Sequence, residues 1–208
     1  MFFEGCSNLW HRQKISKPSP IPETELQKLC WNSEGRARFE AAGERHLVTF
    51  FSEMLSAQTL WRLGIQIPMK GEEVIELDYV KRQAIWPGLK GNQLSRDKQF
   101  AAWQSLIEAL SDFLSLSVKH EPQCHKKETS GVWSCTVLGT DRQYDVKLGD
   151  GQLLIEGQWG GDIFKLKASQ LEEEQNYYQM VEVQQTTKQL TTPLAAKFFI
   201  KECRQTPQ

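Results

Sequence analysis

The sequence has almost no net charge: 25 Lys and Arg stand against 26 Asp and Glu, a formal −1 over 208 residues. Binding to a polyanion by counterion release needs cations gathered on one face. Here they are scattered among carboxylates, so nucleic acid is not an expected partner. The same scatter argues against docking on an anionic bilayer. No run approaches the roughly 18 apolar residues that span a membrane, so membrane insertion is not expected either. Cysteine is scarce, and Cys6, Cys30, Cys124, Cys135 and Cys203 are odd in number and widely spaced. A chain of this length does not need covalent staples, which predicts reduced thiols. Met1 to Arg12 also lacks the basic start and unbroken apolar stretch of a secretory leader, and together these features predict a cytoplasmic protein.

Catalytic and cofactor motifs are equally thin. No serine sits in a G-x-S-x-G elbow, and Cys124 beside His125 is not a dyad, because neighbours on an extended segment face opposite ways. His120, Cys124 and His125 could give two or three zinc ligands, but no fourth donor or second pair accompanies them. Glu73, Glu76 and Asp78 with Lys81 suggest a magnesium site, yet the next strand offers no acid-x-Lys pair, so they read as a solvated hairpin face. The glycines from Gly157 to Gly161 lie between strands and not before a helix, the wrong setting for a phosphate cradle. No catalytic residue, metal site or cofactor is therefore assigned, and a non-enzymatic role is favoured.

What is present is periodicity. Ser16 to Pro22 places three prolines in seven residues and reads as an extended arm. Leu26, Leu29 and Cys30 suggest a short helix. Phe39, Leu47, Phe50, Phe51, Met54 and Leu55 read as one face of a longer helix interrupted by Gly43, with Arg36, Arg38, Glu40, Glu44 and Arg45 wet. Trp61 to Ile67 and Ile75 to Tyr79 alternate as a hairpin. After breakers between Ile85 and Asn92, the stripe Phe100, Trp103, Ile107, Leu110 and Leu114 predicts a core helix over 96–117, with Glu108 and Asp112 away from it. A polar connection then leads to six short strands separated by Gly and Asp turns.

The expected fold is α+β: N-terminal helices and a hairpin, one long core helix, then an antiparallel β-meander curled into a barrel or packed on the helices. The expected segments are a Pro-rich arm at 1–22, a helical part with a hairpin at 23–120 and a meander at 131–203, the latter two separate or one composite domain. Aromatics carry the functional expectation. Trp86, before Pro87, and one of the adjacent pair Tyr177 and Tyr178 should be exposed anchors for a protein partner. The first function is thus a cytosolic adaptor, assembly factor or chaperone. The second is a small-molecule-binding barrel, with or without enzymatic activity, in which Trp133, Tyr144 and Trp159 line a pocket in the meander.

Overall fold

In the computed structural model, the described residues are 23–41, 44–55, 59–67, 71–85, 98–118, 123–127, 132–137, 140–149, 151–187 and 193–204. The expected arm at 1–22 and Trp86 lie outside them. Among the described residues two helices, α1 (Glu23–Gln27) and α2 (Lys98–Val118), accompany twelve strands. The first five are β1 (Ser33–Ala41), β2 (Glu44–Leu55), β3 (Leu60–Ile67), β4 (Gly71–Asp78) and β5 (Gln83–Ile85). After α2 come β6 (Gln123–Lys126), β7 (Trp133–Thr136), β8 (Gln143–Gly149), β9 (Gln152–Trp159), β10 (Asp162–Glu172), β11 (Tyr177–Thr186) and β12 (Leu194–Cys203).

All twelve strands share one antiparallel sheet in the order β5-β4-β3-β2-β1-β12-β11-β10-β9-β8-β7-β6. The fold is therefore nearly all antiparallel sheet, not the α+β division expected from the sequence. Nor is it a barrel: β5 and β6 end the sheet and do not pair with each other, so the sheet is open. Strands from the two expected segments meet where β1 pairs with β12, Ala37 lying opposite Phe198.

The first misreading lies in residues 33–55, expected as helix and found as the β1–β2 hairpin. Gly35, Ala37 and Phe39 alternate with Arg36, Arg38 and Glu40, which is the period of a strand. Val48, Phe50 and Ser52 turn to the core, while Leu47, Thr49 and Phe51 turn away. Phe51 made the pattern look helical because it is a large apolar group on the outer face. Its ring lies over Gly64 of β3, where a Cβ would come within 2.0 Å of it. The expected hairpin over 61–79 is β3–β4, and the six expected strands of the meander are β7 to β12. The polar connection before them contains one more strand, β6.

Side chains of β8, β9 and β10 fill the inner face: Tyr144, Val146, Leu153, Ile155, Phe164 and Leu166 are fully buried, as are Ala109, Phe113 and Leu114 of α2. The side chains of Trp103 and Ile107 lie outside the described residues. The helix touches β4 and β5 at one end of the sheet and β10, β11 and β12 beyond its centre. The opposite face is wet and laced with cross-strand ion pairs such as Lys147–Glu156–Lys165 and Glu53–Arg62–Glu76.

The cysteines depart from expectation as well. Cys30 is bonded to Cys203 and Cys124 to Cys135, so four of the five are not free thiols. Strand pairing brings together residues 173 apart in the chain, which spacing alone could not reveal. The premise of reduced cysteines, on which the expected compartment partly rested, does not hold.

The seam between β1 and β12 is unusually close. At Gly35, beside a register shift, an added Cβ would stand 2.0 Å from the Phe199 carbonyl oxygen. At Gly149, the last residue of β8, nothing lies within 4 Å. Gly35→Ala should therefore cost about 1–3 kcal/mol through forced backbone movement. Gly149→Ala should be neutral or raise stability by about 0.4–1 kcal/mol, because alanine restricts the unfolded chain. Urea unfolding of the two variants checks this contrast, and equal effects would contradict it.

Candidate functional site

Asp112 lies on α2, one residue before the core phenylalanine Phe113, and is 0% exposed. The sequence placed it on the wet side of the helix. It is instead the centre of a buried polar cluster, because three donors from two other parts of the chain converge on it. Arg82 Nη2 donates to Oδ1 at 2.6 Å. Tyr144 Oη donates to Oδ2 at 2.6 Å and Arg142 Nη1 to the same oxygen at 3.1 Å. Arg142 Nη2 also donates to Glu108 Oε2 at 2.8 Å.

Local structure delivers these donors. Arg82 ends the β4–β5 turn in a left-handed conformation, φ 56°, where asparagine or glycine is the commoner choice. Asp78 shapes that turn by accepting hydrogen bonds from the Val80 and Lys81 N–H groups at 3.1 and 3.0 Å. Burial works to raise the Asp78 carboxyl, but bonds to Lys81, that residue's charge and the Val80 N–H hold it below its usual range. Arg142 immediately precedes β8, and its guanidinium carbon lies 4.5 Å above the Trp159 ring. Trp159 in turn stacks on Phe164 at 3.7 Å, with Tyr144 edge-on at 5.5 Å.

The chemistry available to this cluster is limited by its own completeness. Two carboxylates face two guanidiniums, and both Asp112 oxygens are occupied. Burial first, then the charge and hydrogen bond of Asp112, push the Tyr144 phenol well above its ordinary range, so it remains a donor. Both carboxylate oxygens are taken up by donors, and a phenol so raised is no nucleophile. The cluster fastens α2 to the β4–β5 turn and to β8. The surrounding residues gave a weak signal at best: an aspartate beside an apolar stripe, with arginines at turn ends.

Of the expected ligand-lining rings, Tyr144 and Trp159 do meet. No ring contact joins Trp133 to either of them, and its partner is Lys126, 5.9 Å above it. The inner face around them is packed. A cavity of about 30 Å³ lies elsewhere, between the α1–β1 segment, α2 and the sheet centre, walled by Trp31, Phe50, Trp61 and Phe198 with Ser33 and Ser52. That is room for about two waters, far short of the roughly 300 Å³ of a ligand pocket.

The expected outward tyrosine is also absent: Tyr177 and Tyr178 are 3% and 1% exposed. Alternation sends them to opposite sides, but both sides are covered. Tyr178 Oη donates to Glu25 of α1 at 2.8 Å, and Tyr177 Oη reaches the Lys201 carbonyl oxygen of β12 at 3.5 Å. Among the described residues no group of three His, Cys, Asp or Glu could hold a metal ion. Cys124, considered as a zinc ligand, is in a disulfide.

Exposed apolar side chains occur along the sheet, with Leu47 of β2 at 61% and Phe199 of β12 at 40%, and its two end strands are exposed as well. All three β5 residues are exposed, Ile85 by 58%, and Val80 in the preceding turn by 51%. At the other end β6 shows His125 and Lys126, followed by Lys127. No protein-family model matches the chain, and no curated protein is significantly similar to it.

Removing the acceptor strands the Arg82 cation and the Tyr144 phenol and leaves Arg142 with Glu108 alone. Asp112→Ala should cost about 3–5 kcal/mol, as loss of one partner of a buried ion pair does. Tyr144→Phe should cost about 1–3 kcal/mol. Tyr79 provides the internal contrast, since its buried hydroxyl has no hydrogen-bond partner among the described residues, and Tyr79→Phe should be neutral or stabilising. Denaturant titration ranks the three. The turn makes a pH prediction. A carboxyl lowered on folding adds stability above its unfolded pKa and loses it as pH falls through the folded pKa. Stability should therefore drop below about pH 4, and Asp78→Asn should flatten that part of the profile measured by urea unfolding.

Proposed function

We propose that the protein is a non-enzymatic protein-binding module, an adaptor or assembly factor, that pairs an extended segment of a partner against strand β5. The observation that carries this reading is the contrast between the two ends of the sheet. An edge strand presents unpaired backbone donors and acceptors, and proteins that must avoid pairing guard it with charge, above all lysine. The β6 end has such guards in His125, Lys126 and Lys127. Strand β5 itself offers Gln83, Ala84 and Ile85, uncharged and exposed, beside Val80, while the cations of the preceding turn are turned to carboxylates, Lys81 to Asp78 and Arg82 to the buried Asp112. Backbone pairing supplies affinity in this mode, and side chains at alternate positions supply selectivity. Trp86, the next residue in the chain, remains a proposed anchor, whereas the buried Tyr177 and Tyr178 do not. The saturated Asp112 cluster supports a role without catalysis.

A photo-crosslinking amino acid at position 84, with a control at position 165 on the wet face, tests the reading in extracts. The position 84 probe should capture one partner segment. Ile85→Lys should lower capture at least tenfold, about 1.4 kcal/mol, without moving the thermal midpoint. Capture through position 165 alone, or capture indifferent to Ile85→Lys, would overturn the proposal.

A further inference from the structure

The two disulfides occupy opposite situations in the sheet. Cys30–Cys203 lies at its centre, where Cys203 pairs with Ser33 in the β1–β12 ladder. Around it the Arg204 N–H donates to the Asn32 carbonyl oxygen at 2.7 Å and Arg204 pairs with Glu34. These contacts hold Cys30 and Cys203 side by side whether or not their sulfurs are bonded. Cys124–Cys135 instead joins directly opposed residues of β6 and β7. Strand β6 has four residues, and among the described residues nothing pairs with its outer edge. Cys135 is fully buried, whereas Cys124 is part-exposed and followed by the exposed His125, Lys126 and Lys127.

We infer that Cys124–Cys135 is a redox-active pair that latches edge strand β6, and that its substrate is a dithiol reductant. The reductant's thiolate attacks Sγ of the part-exposed Cys124, since Cys135 is fully buried. The Cys124–Cys135 bond breaks, and its electron pair leaves on Cys135 Sγ, which takes a proton. The second thiol of the reductant attacks the reductant sulfur of the mixed disulfide, forming the reductant's own disulfide and releasing Cys124 as a thiol. Two electrons and two protons pass to the protein, and one dithiol becomes one disulfide.

The order in which the two pairs reduce follows from what holds their thiols afterwards. A pair kept at high effective concentration re-forms its bond readily and resists reduction. The central ladder keeps Cys30 beside Cys203. Cys124 and Cys135, 11 residues apart, are held together by a four-residue edge ladder, by Lys127 on Asp145 and by Lys126 over Trp133. All of these lie on the inner side of β6, with no strand beyond it among the described residues, so β6 can leave once the bond opens, exposing the edge of β7.

The full chain equilibrated in graded mixtures of reduced and oxidised dithiothreitol, alkylated and mapped by mass spectrometry, tests the inference. Cys124 and Cys135 should be modified at a reductant ratio at least tenfold lower than Cys30 and Cys203, about 30 mV for this two-electron couple. At ratios between the two transitions, amides of Gln123–Lys126 should lose hydrogen-exchange protection while β1 and β12 keep theirs. Cys124→Ser with Cys135→Ser should show the same loss without reductant. Simultaneous or reversed reduction, or a β6 still protected once its disulfide is open, would overturn the inference; the wild-type titration decides it even if the double variant does not fold.

Discussion

Ala37 of β1 lies opposite Phe198 of β12, and from this pairing of the first and last strands the rest of the arrangement follows. Each half of the chain runs as a meander, β1 to β5 and β6 to β12. With β1 and β12 joined at the centre, the middle of the chain is carried to both ends of the sheet. The link from β5 to β6 must therefore return across the sheet, and α2 lies along that return, touching strands on both sides of the seam. Gly35 makes the seam possible, since no side chain fits between it and the Phe199 carbonyl. Cys30–Cys203 fastens the same seam covalently.

A helix laid across a curved sheet needs a fixed register, which apolar packing supplies only in part because packed surfaces can slide. Asp112 supplies a directional constraint. Its two oxygens meet donors from the β4–β5 turn and from the β8 end of the sheet, so one carboxylate relates α2 to both halves. Such a cluster stabilises little against an apolar equivalent of the same shape, but it leaves few alternative positions for the helix. The Arg142–Trp159–Phe164 stack extends the constraint into the meander core.

Much of the strand content was legible in the sequence, because glycine and aspartate turns set the boundaries of β7 to β12 and period two set their faces. Residues 33–55 were misread because Phe51 covers Gly64 on the outer face, placing apolar groups on both sides of β2 and imitating helical spacing. The seam was invisible to local pattern, since nothing in β1 or β12 names its partner. The disulfides and the Asp112 cluster depend on that long-range pairing and were hidden with it. Of the candidate residues, Tyr144 and Trp159 were recognised as notable rings, but their role is packing around a buried ion cluster. The tyrosine pair failed through α1 and β12, whose positions alternation could not foresee. No local pattern marked β5 as an exposed end strand.

The sheet is fastened at β1–β12 and open at β5 and β6. Native-state amide hydrogen exchange measures it strand by strand, because exchange reports the free energy of local opening. The slowest amides should lie in β1, β12 and their neighbours, with protection falling outward in both directions to a minimum in β5 and β6. Amides of β5 and β6 as slow as those of the centre would mean that the edges are paired and the sheet closed, and would contradict the account.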